Sequence, residues 1–200
     1  MAATALLETL DPAVSSQMKA IDDDALYEEV DGQRIETPPM SVYAVKIATR
    51  LARMLGNFAD DERLGEVVVE MLFRLPLKEQ LKRTRRPDIA FVSYQRWPVD
   101  GSRTTKDDAW EVAPELAVEV VSPTDQIEEV LDKIFEYFQA GVLLVWVVFP
   151  NHRLIHVYEA TNKVRAIAEP DHLDGGTVLP GFQLPLDRLF DRVAPVNGVA

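Results

Sequence analysis

The sequence contains no cysteine, shows no excess of positive charge and has no hydrophobic run long enough to cross a membrane. The absence of cysteine excludes a disulfide framework, a thiolate metal site and a cysteine nucleophile. The longest apolar run, residues 142–149, is less than half of a membrane span. The first residues also lack the basic start of a secretory signal. We therefore expect a cytoplasmic protein without a membrane segment.

Acidic residues outnumber basic residues by 33 to 21, which gives a formal net charge of −12. Proteins that bind DNA over a broad surface usually show a basic footprint instead. If this protein contacts DNA, it must use a local basic patch, a metal ion, or both.

The chain length and the hydrophobic pattern predict one folded domain between two terminal segments. The 200 residues are enough for one well-buried core and too few for two comfortable ones. We predict a weakly structured leader over residues 1–24, a folded domain over residues 25–192 and a tail over residues 193–200.

The order of the predicted elements indicates an α/β fold of the α+β kind. Asp31-Gly32 between two short strands predicts a tight hairpin. Apolar residues at helical spacing over residues 42–55 predict a helix that ends at Gly56. Strict alternation over residues 67–75 predicts one continuous strand. Further strands and a second helix follow, so we expect a central mixed β-sheet flanked by α-helices.

One predicted strand, residues 116–121, carries a single carboxylate, Glu119, within an apolar run. A buried ionised carboxylate without a partner costs several kcal/mol, so it must be neutralised, paired or bound to a cation. Ser122-Pro123 then predicts a helix start. Lys133 lies nine residues after Thr124, roughly 13–14 Å along that helix. Glu119 lies five residues before Thr124, roughly 16 Å back along the strand, so the two side chains reach nearly the same level. Lys133 is therefore a candidate partner, unless it only extends along the helix edge into solvent.

A second carboxylate, Asp88, stands at the start of another predicted strand, directly after Pro87. In isolation an aspartate after proline is most often part of a turn. Together with Glu119 and a main-chain carbonyl such as that of Val120, however, it forms an oxygen ligand set that suits magnesium or manganese. Lys133 would then help to deprotonate a water or stabilise negative charge.

The basic residues concentrate in residues 78–86, just before Asp88. One interpretation is a solvated connector between two strands. The other is a contact with the phosphate backbone of DNA beside the metal site. The predicted DNA-binding residues are Lys82, Arg83, Arg85 and Arg86.

These motifs together resemble the Uma-two family of restriction endonucleases, within the PD-(D/E)XK nuclease superfamily. The residues that carry the resemblance are Pro87-Asp88, Glu119-Val120-Val121-Ser122-Pro123, Lys133, Tyr137, Gly141-Val142 and Trp146. The Asp-Gly hairpin and a later Pro-Gly-Phe also match, so the likeness covers roughly residues 25–190.

The resemblance implies a restriction-endonuclease-like core with a central four-stranded mixed sheet. It also implies magnesium-dependent cleavage of phosphodiester bonds, with Asp88 and Glu119 as the metal-binding acids. The superfamily's lysine usually lies two residues after the second acid, where this chain has Val121. The resemblance implies that in this family the lysine has moved to the following helix, where Lys133 stands. The candidates for an additional acid are Glu36 and Glu70.

The leading hypothesis is a metal-dependent DNA endonuclease with Asp88, Glu119 and Lys133 as its catalytic residues. A homodimer is an open possibility, because many nucleases that cut both strands are dimers. The alternative is a nuclease-fold module that binds DNA or a protein partner without catalysis, which the acidic net charge slightly favours. A serine or histidine hydrolase is poorly supported, because no Gly-x-Ser-x-Gly elbow occurs.

Overall fold

The structure, a computed structural model, describes residues 26–77, 83–97, 109–123 and 125–191. The predicted leader over residues 1–24 and the predicted tail over residues 193–200 lie outside these ranges, as does Lys82. The described elements are β1 (Tyr27–Val30), β2 (Gln33–Glu36), α1 (Val42–Asp61), β3 (Gly65–Val69), β4 (Phe73–Arg74), β5 (Thr84–Arg85), β6 (Ile89–Ser93), β7 (Leu116–Val120), α2 (Ile127–Gln139), β8 (Leu144–Phe149), β9 (Leu154–Ala160), β10 (Lys163–Ala168), β11 (His172–Gly175), β12 (Leu179–Pro185) and α3 (Leu186–Phe190).

A six-stranded mixed sheet forms the centre of the fold, in the order β10-β9-β8-β7-β6-β3. β7 and β8 are parallel, and the other neighbouring pairs are antiparallel. The predicted α+β class is confirmed, but the sheet has six strands where the family resemblance implied four. The hairpin of β9 and β10 extends the sheet beyond β8.

Helices α1 and α2 cover opposite faces of this sheet. Successive side chains of a strand point to opposite sides, so two neighbouring residues of β8 show which helix lies on which face. Trp146 of β8 packs in the cluster that contains Leu51 of α1. Its neighbour Val145 packs in the cluster that contains Ile134 of α2. Among the described helices, none combines the length and the apolarity that crossing a membrane requires.

Two predicted boundaries before β5 are wrong. The first helix does not end at Gly56 but continues to Asp61, because one helical glycine costs only about 1 kcal/mol and Ala59 beyond it is buried in the core. The strand predicted over residues 67–75 is broken at Glu70, which adopts a φ of 48°. The chain after this break pairs with β5 instead of continuing along β6.

The second helix also begins later than predicted. Ser122 is not its N-cap, since α2 starts at Ile127 after Gln126. The carboxylate of Asp125 accepts a hydrogen bond from the N–H of Ser122 at 2.8 Å. The hydroxyl of Ser122 accepts a hydrogen bond from the N–H of Ser41, just before α1, at 3.2 Å. The hydroxyl of Ser122 is therefore used in a contact between distant segments and not, as the local sequence pattern predicted, in capping α2.

Candidate active site

Strand β7 and helix α2 bring Glu119 and Lys133 together. Val118 and Val120 of β7 belong to the cluster on the α1 side of the sheet, so Glu119 between them faces α2. The Nζ of Lys133 lies 3.4 Å from Oε2 of Glu119, and its side chain is only 17% exposed. The structure thus joins the two residues that sequence spacing placed at the same level.

Tyr137 holds the other oxygen of Glu119. This tyrosine is fully buried, and its hydroxyl donates to Oε1 of Glu119 at 2.6 Å. Burial raises the pKa of Glu119, while the charge of Lys133 opposes that rise. Burial and the charge of Glu119 raise the pKa of Tyr137, so its hydroxyl remains a donor. The Glu119 carboxylate is therefore fixed from both sides.

Replacing Tyr137 by Phe tests this hydrogen bond. We expect Tyr137→Phe to lower the free energy of unfolding by roughly 1.5–3 kcal/mol, because a buried carboxylate loses its donor. Urea denaturation monitored by circular dichroism measures the change. Tyr94→Phe is the matched control, since the hydroxyl of Tyr94 contacts Glu66 only at the surface, at 3.4 Å. Equal and small losses in the two variants would contradict the expectation.

Asp88 reaches the same place from the neighbouring strand. It immediately precedes β6, and the pairing of Ile89 with Val118 sets it beside Glu119. The N–H of Val120 donates to Oδ2 of Asp88 at 2.6 Å. Burial and the negative charge of Glu119 raise the pKa of Asp88 to about 8. Two carboxyl groups from adjacent strands thus meet, and this proximity disfavours ionisation of Asp88 unless positive charge is added beside it.

A cavity of about 100 Å³ opens onto these groups. Asp88, Glu119 and Lys133 form one part of its lining, and the main chain at Val120 adjoins them. Thr37, Pro38, Met40 and the start of α2 also line it. The three predicted catalytic residues therefore share one concave site that is accessible from solvent.

A third carboxylate of the site, Glu28 on β1, was not predicted from the sequence. Its Oε1 lies 3.0 Å from Nζ of Lys133, and its Oε2 lies 2.7 Å from the guanidinium of Arg85. Burial raises the pKa of Glu28, but Lys133 and Arg85 outweigh that effect, so the pKa lies below its usual value. Glu28 is therefore ionised and is a direct neighbour of the lysine.

The candidate acid that the sequence favoured on this hairpin lies on its other face. Glu36 pairs across the hairpin with Tyr27, whereas Glu28 pairs with Ile35. Cross-strand partners share a face, and neighbouring residues of a strand do not. Glu28 is 6% exposed, while Glu36 is at the surface. The alternation of side chains along the hairpin strands indicates that Glu28 and Glu36 lie on different faces. Strands of four residues do not, however, reveal which face packs against the rest of the domain.

Glu70 contributes to the site through its backbone. Its side chain is exposed, and its N–H donates to the carbonyl of Asp88 at 3.2 Å. Its own carbonyl accepts from the guanidinium of Arg86. Neither Glu70 nor Glu36 is among the described residues that line the cavity.

Within the described part of the basic segment, residues 83–86, Arg83 and Arg85 form ion pairs with carboxylates of the protein itself, which leaves them poorly placed for the predicted phosphate contacts. Arg85 is 7% exposed, and it pairs with Glu28 and with Glu136, whose Oε2 is 2.5 Å from its Nε. Arg83 pairs with Glu136 and, at 3.0 Å, with Asp31. Their partners lie far away in the sequence, so composition alone suggested a solvent-facing segment. By contrast, Arg86 lines the cavity.

These contacts form one continuous series of alternating charges, here named the charge ladder. In order of contact its members are Asp31, Arg83, Glu136, Arg85, Glu28, Lys133 and Glu119. Negative and positive groups alternate up to Glu119, where the carboxyl group of Asp88, with its raised pKa, follows directly. The ladder therefore ends in two adjacent carboxyl groups at the cavity, and a bound cation would favour ionisation of both.

The end of this ladder at the cavity could hold a divalent cation. Within the described residues, no three His, Asp or Glu side chains form a ready-made metal cluster. The carboxyl groups of Asp88 and Glu119 line the cavity together with Val120, whose main-chain carbonyl is a candidate for a further oxygen ligand. Magnesium fits such an incomplete set, because it usually keeps several water ligands.

The mixed sheet and the carboxylates on its adjacent strands define the class, a restriction-endonuclease-like α+β fold. The family model described as "Putative restriction endonuclease" matches residues 15–187, and the chain belongs to this family, Uma2. The structure of this chain is similar to the crystal structure of a protein from Anabaena variabilis described as a "putative nuclease belonging to DUF820". That similarity has a TM-score of 0.71 at 18% identity and covers 82% of this chain and 89% of that one. No curated protein matches the sequence.

Proposed function

We propose that this protein is a magnesium-dependent endonuclease that hydrolyses phosphodiester bonds of DNA. The main support is the end of the charge ladder, where Asp88 and Glu119 adjoin at a solvent-accessible cavity. A divalent cation there would complete the alternation of charge. The family description, which names a restriction endonuclease, points to the same chemistry.

Asp88 and Glu119 would hold the cation, with the main-chain carbonyl of Val120 as a further ligand. Magnesium, or manganese, would supply Lewis-acid activation of a water molecule and would offset negative charge on the phosphoryl group. The protein fixes both acids beforehand. Val120 donates to Asp88 at 2.6 Å, and Tyr137 donates to Glu119 at 2.6 Å.

Lys133 acts in this proposal as a fixed positive charge that stabilises the negative charge of the transition state. The sequence left open whether it would help to deprotonate water instead. Its amine lies 3.0 Å from Glu28 and 3.4 Å from Glu119, and both contacts favour the ammonium form. Burial lowers the pKa of Lys133, but the two carboxylates raise it above its usual value. A charged lysine is a poor base.

DNA is the proposed substrate because its backbone presents the phosphodiester that these groups would act on. Arg86 lines the cavity beside Asp88, and a guanidinium group binds phosphate well. With a net charge of −12, contact with DNA has to be confined to this neighbourhood. A module that binds DNA or a protein without cleavage is the alternative.

A nicking assay on supercoiled plasmid tests the proposal. We expect the wild type to nick DNA with magnesium or manganese and not with EDTA. Glu119→Gln and Lys133→Met should each slow nicking by about 100-fold, as the loss of one transition-state contact does in other enzymes.

Exposed residues of the same types provide the controls. Glu111 pairs with Arg74 at the surface, and Lys163 pairs with Glu159 at the surface. Glu111→Gln and Lys163→Met should nick at the wild-type rate. Nicking that survives both site substitutions would reject the assigned residues, and no cleavage with any divalent cation would favour the binding module.

A further inference from the structure

Glu28 holds Lys133 more closely than Glu119 does. The Nζ of Lys133 is 3.0 Å from Glu28 and 3.4 Å from Glu119. Glu28 is itself immobilised, because its Oε1 accepts the N–H of Arg86 at 2.9 Å and its Oε2 accepts from Arg85 at 2.7 Å. The carboxylate of Glu28 therefore occupies a fixed position behind the lysine.

A divalent cation and the ammonium group of Lys133 would compete for the same carboxylate, Glu119. Like charges repel, and a lysine whose only anionic partner is Glu119 would occupy the position that the cation needs. A second carboxylate beside the lysine removes this conflict, because the ammonium group keeps a partner when Glu119 turns to the metal.

We infer that Glu28 is a positioning residue, which holds Lys133 beside the cavity and leaves Glu119 available to a divalent cation. This inference rests on the proposed function, because it concerns the same metal site. It assigns a role to the β1–β2 hairpin, which lies outside the central sheet. The hairpin supplies the carboxylate, and Arg85, held in turn by Glu136, fixes its orientation.

A double-mutant cycle on manganese affinity tests this role. The full-length wild type, Glu28→Gln, Lys133→Met and the double variant are titrated with Mn²⁺ in a calorimeter. We expect Glu28→Gln to weaken Mn²⁺ binding by roughly 10- to 100-fold, as the loss of an outer-shell partner of a metal site typically does. In the Lys133→Met background the same change should weaken binding by no more than about 3-fold, because the competing ammonium group is gone.

Equal losses in both backgrounds would overturn the inference, since Glu28 would then act through its own charge and not through Lys133. Glu29→Gln is the matched control, because Glu29 follows Glu28 in β1 and so points to the other face of the hairpin. It should bind Mn²⁺ with wild-type affinity.

Glu28→Asp provides a second variant if Glu28→Gln fails to fold by circular dichroism. It keeps a charge for Arg85 but shortens the side chain, so we expect weaker Mn²⁺ binding than in the wild type, and unchanged affinity would overturn the inference. The proposed function is judged separately. A wild type that binds Mn²⁺ and nicks DNA, with unaltered affinity in the Glu28 variants, would refute only the inference. A wild type that neither binds nor nicks would refute both.

Discussion

Asp88→Asn is expected to stabilise the metal-free protein at pH 8.5 by up to about 5 kcal/mol. The pKa of Asp88 rises from 3.8 to about 8 because of burial and the charge of Glu119, and each pH unit corresponds to about 1.4 kcal/mol. The amide oxygen of asparagine can still accept the N–H of Val120, which lies 2.6 Å from the carboxylate. The substitution therefore removes the repulsion and keeps the hydrogen bond.

The sign of the pH dependence follows from the direction of this shift. Between pH 3.8 and about 8 the folded protein binds more protons at Asp88 than the unfolded chain does. The free energy of unfolding of the wild type therefore falls as the pH rises through this window. The advantage of Asp88→Asn should be small at pH 4, should grow with pH and should level off above pH 8.

Urea denaturation in EDTA at pH 5, 6.5 and 8.5 measures this difference. Asp132→Asn, at an exposed position on α2, is the control and should show no comparable trend. Magnesium should stabilise the wild type, because a ligand that binds only the folded state adds to its stability, and should not stabilise Asp88→Asn. An Asp88→Asn variant that is less stable than the wild type at every pH would show that the protein alone satisfies this carboxylate.

A destabilising carboxylate at position 88 would have a functional explanation. Selection for stability alone would favour a neutral residue at position 88, and the costs of strained or repulsive groups concentrate at functional sites. If Asp88→Asn gains stability and loses magnesium-dependent nicking, the carboxylate of Asp88 is retained for cleavage at a cost in stability.

The convergence of Asp88, Glu119 and Lys133 could be predicted because it depends on regular geometry. Strand and helix have fixed rises per residue, so a separation in sequence translates into a distance along the element. Lys133 still reaches Glu119 although α2 has its N-cap at Gln126 and not at Ser122, four residues later than predicted, since the helix still returns along β7.

Glu28 and the inward orientation of Arg85 could not be predicted, because both depend on contacts between distant segments. Glu28 and Glu29 are chemically identical neighbours, and only the docking of the hairpin decides which one is buried. Arg85 lies in a strongly basic segment, and its partners Glu28 and Glu136 come from residues 51 to 57 positions away. Local composition carries no signal for such pairing.

Glu136→Ala is expected to lower the free energy of unfolding by about 3–5 kcal/mol, which is typical when one partner of a buried ion pair is removed. Glu136 is 6% exposed, and it pairs with Arg83 and with Arg85. Without it, Glu28 is the one ion-pair partner that the described residues leave to the buried guanidinium of Arg85, and the charge ladder is cut in its middle. Urea denaturation at pH 7 measures the loss.

Glu111→Ala is the control, because Glu111 pairs with Arg74 at 2.6 Å while the two side chains are 68% and 51% exposed. Ion pairs at the surface contribute about 0–1 kcal/mol, so this variant should lose little. Glu136→Gln should lie between the two, since its amide oxygen still accepts one hydrogen bond. A loss below about 1 kcal/mol for Glu136→Ala would mean that water reaches Arg85 and replaces the carboxylate. The ladder could not then act as a rigid support for Glu28 and Lys133.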